Sequence, residues 1–198
     1  MSEFSLIATL RDRIGPIGRD WIELGIGDDA ALWRPDAGHT VVACCDTLIA
    51  GRHFPEDTDP ADLGWKALAV NLSDLAAMGA EPVAALLALS LPAFPASDWL
   101  DSFCDGWAAL ARRHNVALAG GDTTRGPVMT LTVTCLGQLP HGTALRRDGA
   151  QVGDGVYVSG TLGDAAQGLV LWARRGEGES SWQPLLERLC RPEPRLAL

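Results

Sequence analysis

The sequence lacks the paired cysteines of a zinc site. Its 5 cysteines are Cys44, Cys45, Cys104, Cys135 and Cys190, with no C-x-x-C among them, which argues against zinc. A disulfide framework is not expected at this size and spacing, and reduced thiols in a cytoplasmic protein are. Positive charge is scarce: 16 Lys+Arg stand against 25 Asp+Glu, for a formal net charge of −9. That balance argues against a nucleic-acid or anionic-membrane surface. Long apolar runs are missing too. The longest, at 83–89, is far too short to span a bilayer. The N-terminus shows no basic stretch followed by an apolar one, so no signal peptide is expected. Neither an internal repeat, a G-x-S-x-G, a clear Ser-His-Asp set nor the Lys-Ser/Thr of a P-loop occurs.

What the chain has is acid in small, well-spaced groups. They read Gly27-Asp28-Asp29, Cys45-Asp46-Thr47, Asn71-Leu72-Ser73-Asp74 and Gly120-Gly121-Asp122-Thr123. Each carboxylate sits beside glycine, a hydroxyl residue or an amide, within apolar sequence. Buried carboxylates without partners are costly. Several meeting at one place need cations, and oxygen ligands select hard ions such as Mg²⁺. Magnesium in such sites is usually shared with a phosphate-bearing substrate.

The patterning predicts where these groups sit. Phe4, Ile7, Leu10 and Ile14 follow helical spacing, and Gly15-Pro16 ends that helix. Residues 24–32 read as a strand or extended loop. A strand at 40–43 runs into Cys44, Cys45 and Asp46, whose adjacent thiols would point to opposite faces. Asp59 as N-cap, Pro60 at the first position and Gly79 at the stop mark the next helix. Leu63, Ala67, Val70, Asp74 and Ala77 form its expected inner stripe, which puts Asp74 among apolar residues, with Asn71 on the same side. A strand buried on both faces is expected at 83–91. A helix capped by Ser97 and stopped at Asn115 follows, with Leu100, Phe103, Trp107, Leu110 and His114 inside. Residues 116–119 read as a short strand and 120–127 as a glycine-rich loop. Clean alternation at 128–135 predicts a half-buried, antiparallel strand, its Thr face free for a subunit contact. After a Gly/Asp-rich shift near 149–155, residues 156–158 read as a strand, 159–164 as a glycine-rich turn and 165–173 as a helix. The expected fold is α/β (α+β): residues 1–148 form a mixed or antiparallel sheet packed with helices, and 149–198 open a second α/β domain that looks cut short.

Each chemical reading has a plainer rival. Asp28-Asp29 is ordinary turn chemistry as well as a metal loop. Asp46 is a strand-end cap or a ligand. The paired glycines before Asp122 suit a hairpin or a phosphate approached by backbone N–H groups. Arg125 suits a phosphate or a neighbouring acid. Arg146 and Arg147 suit a nucleotide or plain solvent. His53 suits a substrate contact or a surface loop.

Taken together the stretches resemble the thiamine-monophosphate kinase family. The matching text is Glu3-Phe4-Ser5-Leu6-Ile7, Leu24-Gly25-Ile26-Gly27-Asp28-Asp29, Asp46-Thr47-Leu48 with His53-Phe54, all of 66–80, all of 120–127 and Arg191-Pro192-Glu193-Pro194-Arg195. The resemblance implies transfer of the γ-phosphoryl of ATP to thiamine monophosphate, giving thiamine diphosphate, by a Mg²⁺-dependent homodimer. It implies magnesium ligands at Asp29, Asp46, Asp74 and Asp122, ATP contacts at Gly121, Asp122 and Arg147, and a substrate contact at His53. Cys44 and Cys45 stand where the family has hydroxyl residues. A thiol is a poor Mg²⁺ ligand, so only their backbone carbonyls suit that role. The family's later D-x-S-D-G-L stretch is absent, so a chain inactive by itself is expected. Two alternatives stay open: another ATP-dependent enzyme of this architecture, such as an aminoimidazole ribonucleotide synthetase, or a non-catalytic nucleotide-binding dimer.

Overall fold

A computed structural model describes residues 2–15, 17, 22–177 and 180–198. Pro16, read above as part of a helix stop, lies outside them. Helix α1 (Glu3–Arg13) starts with Ser2 and Ser5 capping each other reciprocally. Two short strands, β1 (Ile22–Leu24) and β2 (Leu32–Trp33), pair antiparallel. The main sheet has β3 (His39–Ile49), β4 (Glu81–Leu91), β5 (Ala117–Arg125) and β6 (Thr130–Pro140) in the order β3-β6-β4-β5. Only β4 and β5 run parallel. Helix α3 (Ser97–His114) connects them, as a parallel pair requires a crossover.

Helix α2 (Pro60–Ala77) begins where its sequence says it should. The Asp59 carboxylate accepts from the N–H groups of Ala61 and Asp62. Its buried stripe is Leu63, Gly64, Ala67, Leu68, Asn71, Leu72 and Leu75. The stripe expected through Val70, Asp74 and Ala77 is therefore rotated. Asp74 lies exposed at the margin, and Asn71 is the buried polar residue. Burying the amide costs less than burying the carboxylate. Helices α2 and α3 pack closely because two glycines meet the facing backbone. A Cβ at Gly64 would stand 2.1 Å from the Phe103 carbonyl oxygen, and one at Gly106 1.8 Å from that of Ala61. Trp107, Phe103, Leu100 and Leu110 fill the space between the helices and the sheet. Asn115 ends α3 in the left-handed conformation. Its N-cap is Ala96 rather than Ser97, with no side-chain cap bond.

Two strands run further than propensity suggests. β3 continues through Asp46 to Ile49, so Asp46 is mid-strand rather than at a strand end. β5 continues through Gly120 and Gly121 to Arg125, where a loop was expected. Pairing with β4 overrides the glycines' low strand propensity. At Gly121 a Cβ would lie 1.9 Å from the Leu87 carbonyl oxygen, so this close approach excludes a side chain.

Beyond β6 the chain is extended and exposed to about residue 163. Val156, Tyr157 and Val158 form no strand. They have no ladder partner among the described residues, and an unpaired strand is not stable in water. Helices α4 (Asp164–Leu171) and α5 (Gln183–Cys190), with 3-10 turns between them, pack together and against α2. Trp65 Nε1 donates to the Pro192 carbonyl, and Arg191 pairs with Asp62. Arg113 pairs with Glu193, while Trp172 and Arg175 both reach Asp57.

Candidate divalent-cation and phosphate site

The edge of β3 brings two of the expected carboxylates together. Cys44, Asp46 and Leu48 alternate onto the helix-facing side of the strand, as Leu48 in the core and the Cys44 thiol at α2 show. Asn71 ties strand to helix. Its Nδ2 donates to the Ala67 carbonyl, and its Oδ1 accepts the outward N–H of Asp46. The Cys44 thiol donates to the Asn71 carbonyl at 3.3 Å. Burial, then the charge of Asp74, and also that of Asp46, push this thiol up to about 11. A thiol is a poor Mg²⁺ ligand, so the hard donor at Cys44 is its backbone oxygen. Cys45 lies on the opposite face, beside the Thr134 hydroxyl.

Asp122 lies elsewhere. Asp46, Val133, Leu87 and Gly121 form one row across the sheet. Asp122 is thus three strand spacings from Asp46, roughly 14 Å. It also points to the other face, with Ala88, Thr132 and Thr47 in its own row. Asp29 precedes Ala31, which packs with Ile22 and Trp33 on Val83, Ala84, Ala117 and Ala119. That patch is on the face bearing Asp122. Asp122 is thus apart from Asp46 and Asp74, and the described residues contain no group of three or more His, Cys, Asp or Glu close enough for a metal.

What unites the four is the absence of a cationic partner. Asp57, Asp62, Asp101, Asp105 and Asp148 all pair with arginine. Among the described residues none of Asp29, Asp46, Asp74 or Asp122 does. Two unpaired carboxylates beside one neutral thiol present a hard-oxygen donor set, which fits Mg²⁺.

The remaining candidates flank this framework. His53 sits in the turn after β3, its Nδ1 accepting the Ile49 N–H. Arg146 pairs with Asp148, while the exposed Arg147 has no acid within ion-pair distance among the described residues. Sequence reasoning missed the role of Asn71 as the bridge, although an amide three residues before Asp74 in a helix was its signal. A groove of about 720 Å³ is lined by Asp62, Trp65, Trp172, Arg175 and Arg191. It opens at the other end of α2, twelve residues or about 18 Å from Asp74, away from the acidic edge.

The helix-backed mixed sheet is an α+β fold with an unpaired acidic edge. The model of the AIR synthase related protein, N-terminal domain, matches residues 27–139, and the chain belongs to that family. It is 48% identical over 196 residues to the thiamine-monophosphate kinase of Salmonella typhimurium, covering 98% of this chain and 59% of the relative. The crystal structure of thiamine-monophosphate kinase from Stenotrophomonas maltophilia K279a is 53% identical, with a TM-score of 0.86, over 100% of this chain and 63% of that one. AaThiL complexed with AMPPCP and TMP is 31% identical, with a TM-score of 0.77, over 98% of this chain and 60% of that one. The chain spans about 59% of the length of such curated relatives. No helix among the described residues is long and apolar enough to cross a membrane.

Proposed function

We propose that this chain supplies the metal- and nucleotide-binding part of an enzyme that phosphorylates thiamine monophosphate with ATP. The pair of unpartnered carboxylates, Asp46 on β3 and Asp74 on α2, two elements that Asn71 ties together, carries this reading. Its segment 66–80 lies within the likeness to thiamine-monophosphate kinases. The 31% identical relative complexed with AMPPCP, an ATP analogue, and TMP supports the choice of substrates.

In this reading Asp46 and Asp74 hold one Mg²⁺, with Asp29 and Asp122 on the other face serving further ions. Magnesium, when bound, neutralises phosphate charge during in-line transfer. Gly121 and Asp122 lie at the ATP. Arg147 contributes positive charge toward ATP, and His53 faces the thiamine-bearing substrate. The acceptor is already an anionic phosphate, so no strong general base is needed. The chain works in the cytoplasm as a homodimer, joined through the helix-free face of the sheet around Val41, Thr47 and Thr132.

The test is thermal unfolding with Mg²⁺ and AMPPCP, since a ligand of the native state raises its stability. The expected result is a rise in midpoint that needs both, and that Asp46→Asn or Asp74→Asn removes. No rise in the native chain, or an equal rise in both variants, overturns the metal assignment. A further rise in midpoint on adding thiamine monophosphate to the same mixture tests the substrate.

A further inference from the structure

The turn at 159–163 is not used by the site above, yet two arginines converge on it. Gly160 is left-handed, with φ of 79°. The position that a Cβ would take there is 3.4 Å from Arg195 Nη2 and 3.8 Å from Arg188 Nη2. Two guanidinium groups thus approach one point above a bare backbone.

Neither has an acidic partner. Arg13, Arg34, Arg113, Arg146, Arg175 and Arg191 all form ion pairs. Arg188 and Arg195 form none among the described residues. The nearby Asp164 carboxylate is taken up by the Thr161 hydroxyl.

The arginines are held there by anchored backbone. Arg188 sits in the last turn of α5, which lies so close on α4 that a Cβ at Gly168 would stand 2.4 Å from the Leu185 carbonyl oxygen. Arg195 ends a segment pinned by Arg191 to Asp62, by Pro192 to Trp65 and by Glu193 to Arg113. Like charges held together in this way favour an anion between them. The guanidinium fork matches phosphate oxygens two at a time. A glycine turn lets such a group approach the backbone. The first turn of α4 behind it has no side-chain cap.

We propose that Arg188, Arg195 and the turn at 159–163 form a binding site for a phosphate group, either the free ion or a phosphate monoester. The site is separate from Asp46 and Asp74 and requires no metal.

Calorimetric titration of inorganic phosphate into the 198-residue chain, in chloride buffer without Mg²⁺, tests it. The expected result is saturable binding of one ion that persists at ~0.15 M salt. Arg188→Gln with Arg195→Gln weakens it by roughly tenfold or more, as expected for lost hydrogen bonds to a charged group. Arg112→Gln, on the exposed side of α3, leaves it unchanged. The single Arg195→Gln variant, at an exposed position, gives a second reading should the double variant lose its native circular dichroism. A parallel titration with phenyl phosphate separates the sources: tighter binding supports an ester, and binding of inorganic phosphate alone supports the free ion. No saturable uptake by the native chain, or unchanged affinity in the natively folded variants, overturns the proposal. Because Mg²⁺ is absent, the result is independent of the kinase reading.

Discussion

Asn71 is a buried amide with both ends of its side chain in use. It holds α2 by the Ala67 carbonyl and β3 by the Asp46 N–H. Asn71→Ala leaves that N–H without its partner, and the loss is expected to be about 1–3 kcal/mol. Urea unfolding measures it. The same variant frees the β3 edge, so weaker Mg²⁺-dependent stabilisation is expected than in the native chain. The cysteines give a second prediction. Burial pushes the Cys104 thiol from its ordinary 9.0 up to about 12. The fold keeps this thiol protonated after the unfolded chain has ionised. Its contribution is therefore complete below pH 9.0 and is lost as pH rises toward about 12. Stability should fall as pH rises from about 9 toward about 12, and less steeply in Cys104→Ala. In the native protein Cys45, the one exposed cysteine, should react first with a thiol reagent. Mass spectrometry of the labelled peptides identifies it.

At the scale of elements, the caps of α2 were readable, the Ser97 cap of α3 was misplaced by one residue, and strand lengths were not readable. Asp59, Pro60 and Gly79 delimit α2 in the text as in the fold, because capping is local chemistry. The alternation at 128–135 revealed β6 for the same reason. By contrast, β5 could not be read past Ala119, since its glycines are held by a neighbour far along the chain. Val156–Val158 erred the other way: the side chains favour a strand that no neighbour completes. Gly64 and Gly106 carried no visible signal, for their purpose exists only where α2 and α3 cross. Gly64→Ala should force these helices apart and cost roughly 1–3 kcal/mol, despite the better helix propensity of alanine. A lowered thermal midpoint is the readout.

For the whole molecule, the acids were legible and their sides were not. The likeness in text singled out Asp29, Asp46, Asp74 and Asp122 and anticipated the mixed α+β fold. Which face each carboxylate takes depends on strand register. The irregularity between Ala85 and Leu86 skips Ala119 in the β4–β5 pairing, and one such extra residue reverses the side of everything after it. Asp122 follows that slip. The helix-free face carries the prediction at this scale. If it joins two copies, Thr132→Glu in one row with Thr47 places like charges across the joint, and sedimentation should shift from dimer to monomer. A dimer unaffected by that change would place the joint elsewhere.

The clasp of α4, α5 and the Arg191-to-Arg195 stretch upon α2 and α3 has a practical result. A protease that nicks the bare stretch between Gly149 and Gly160 would break the chain without separating it. Both pieces should travel as one particle through a sizing column and part only in denaturant.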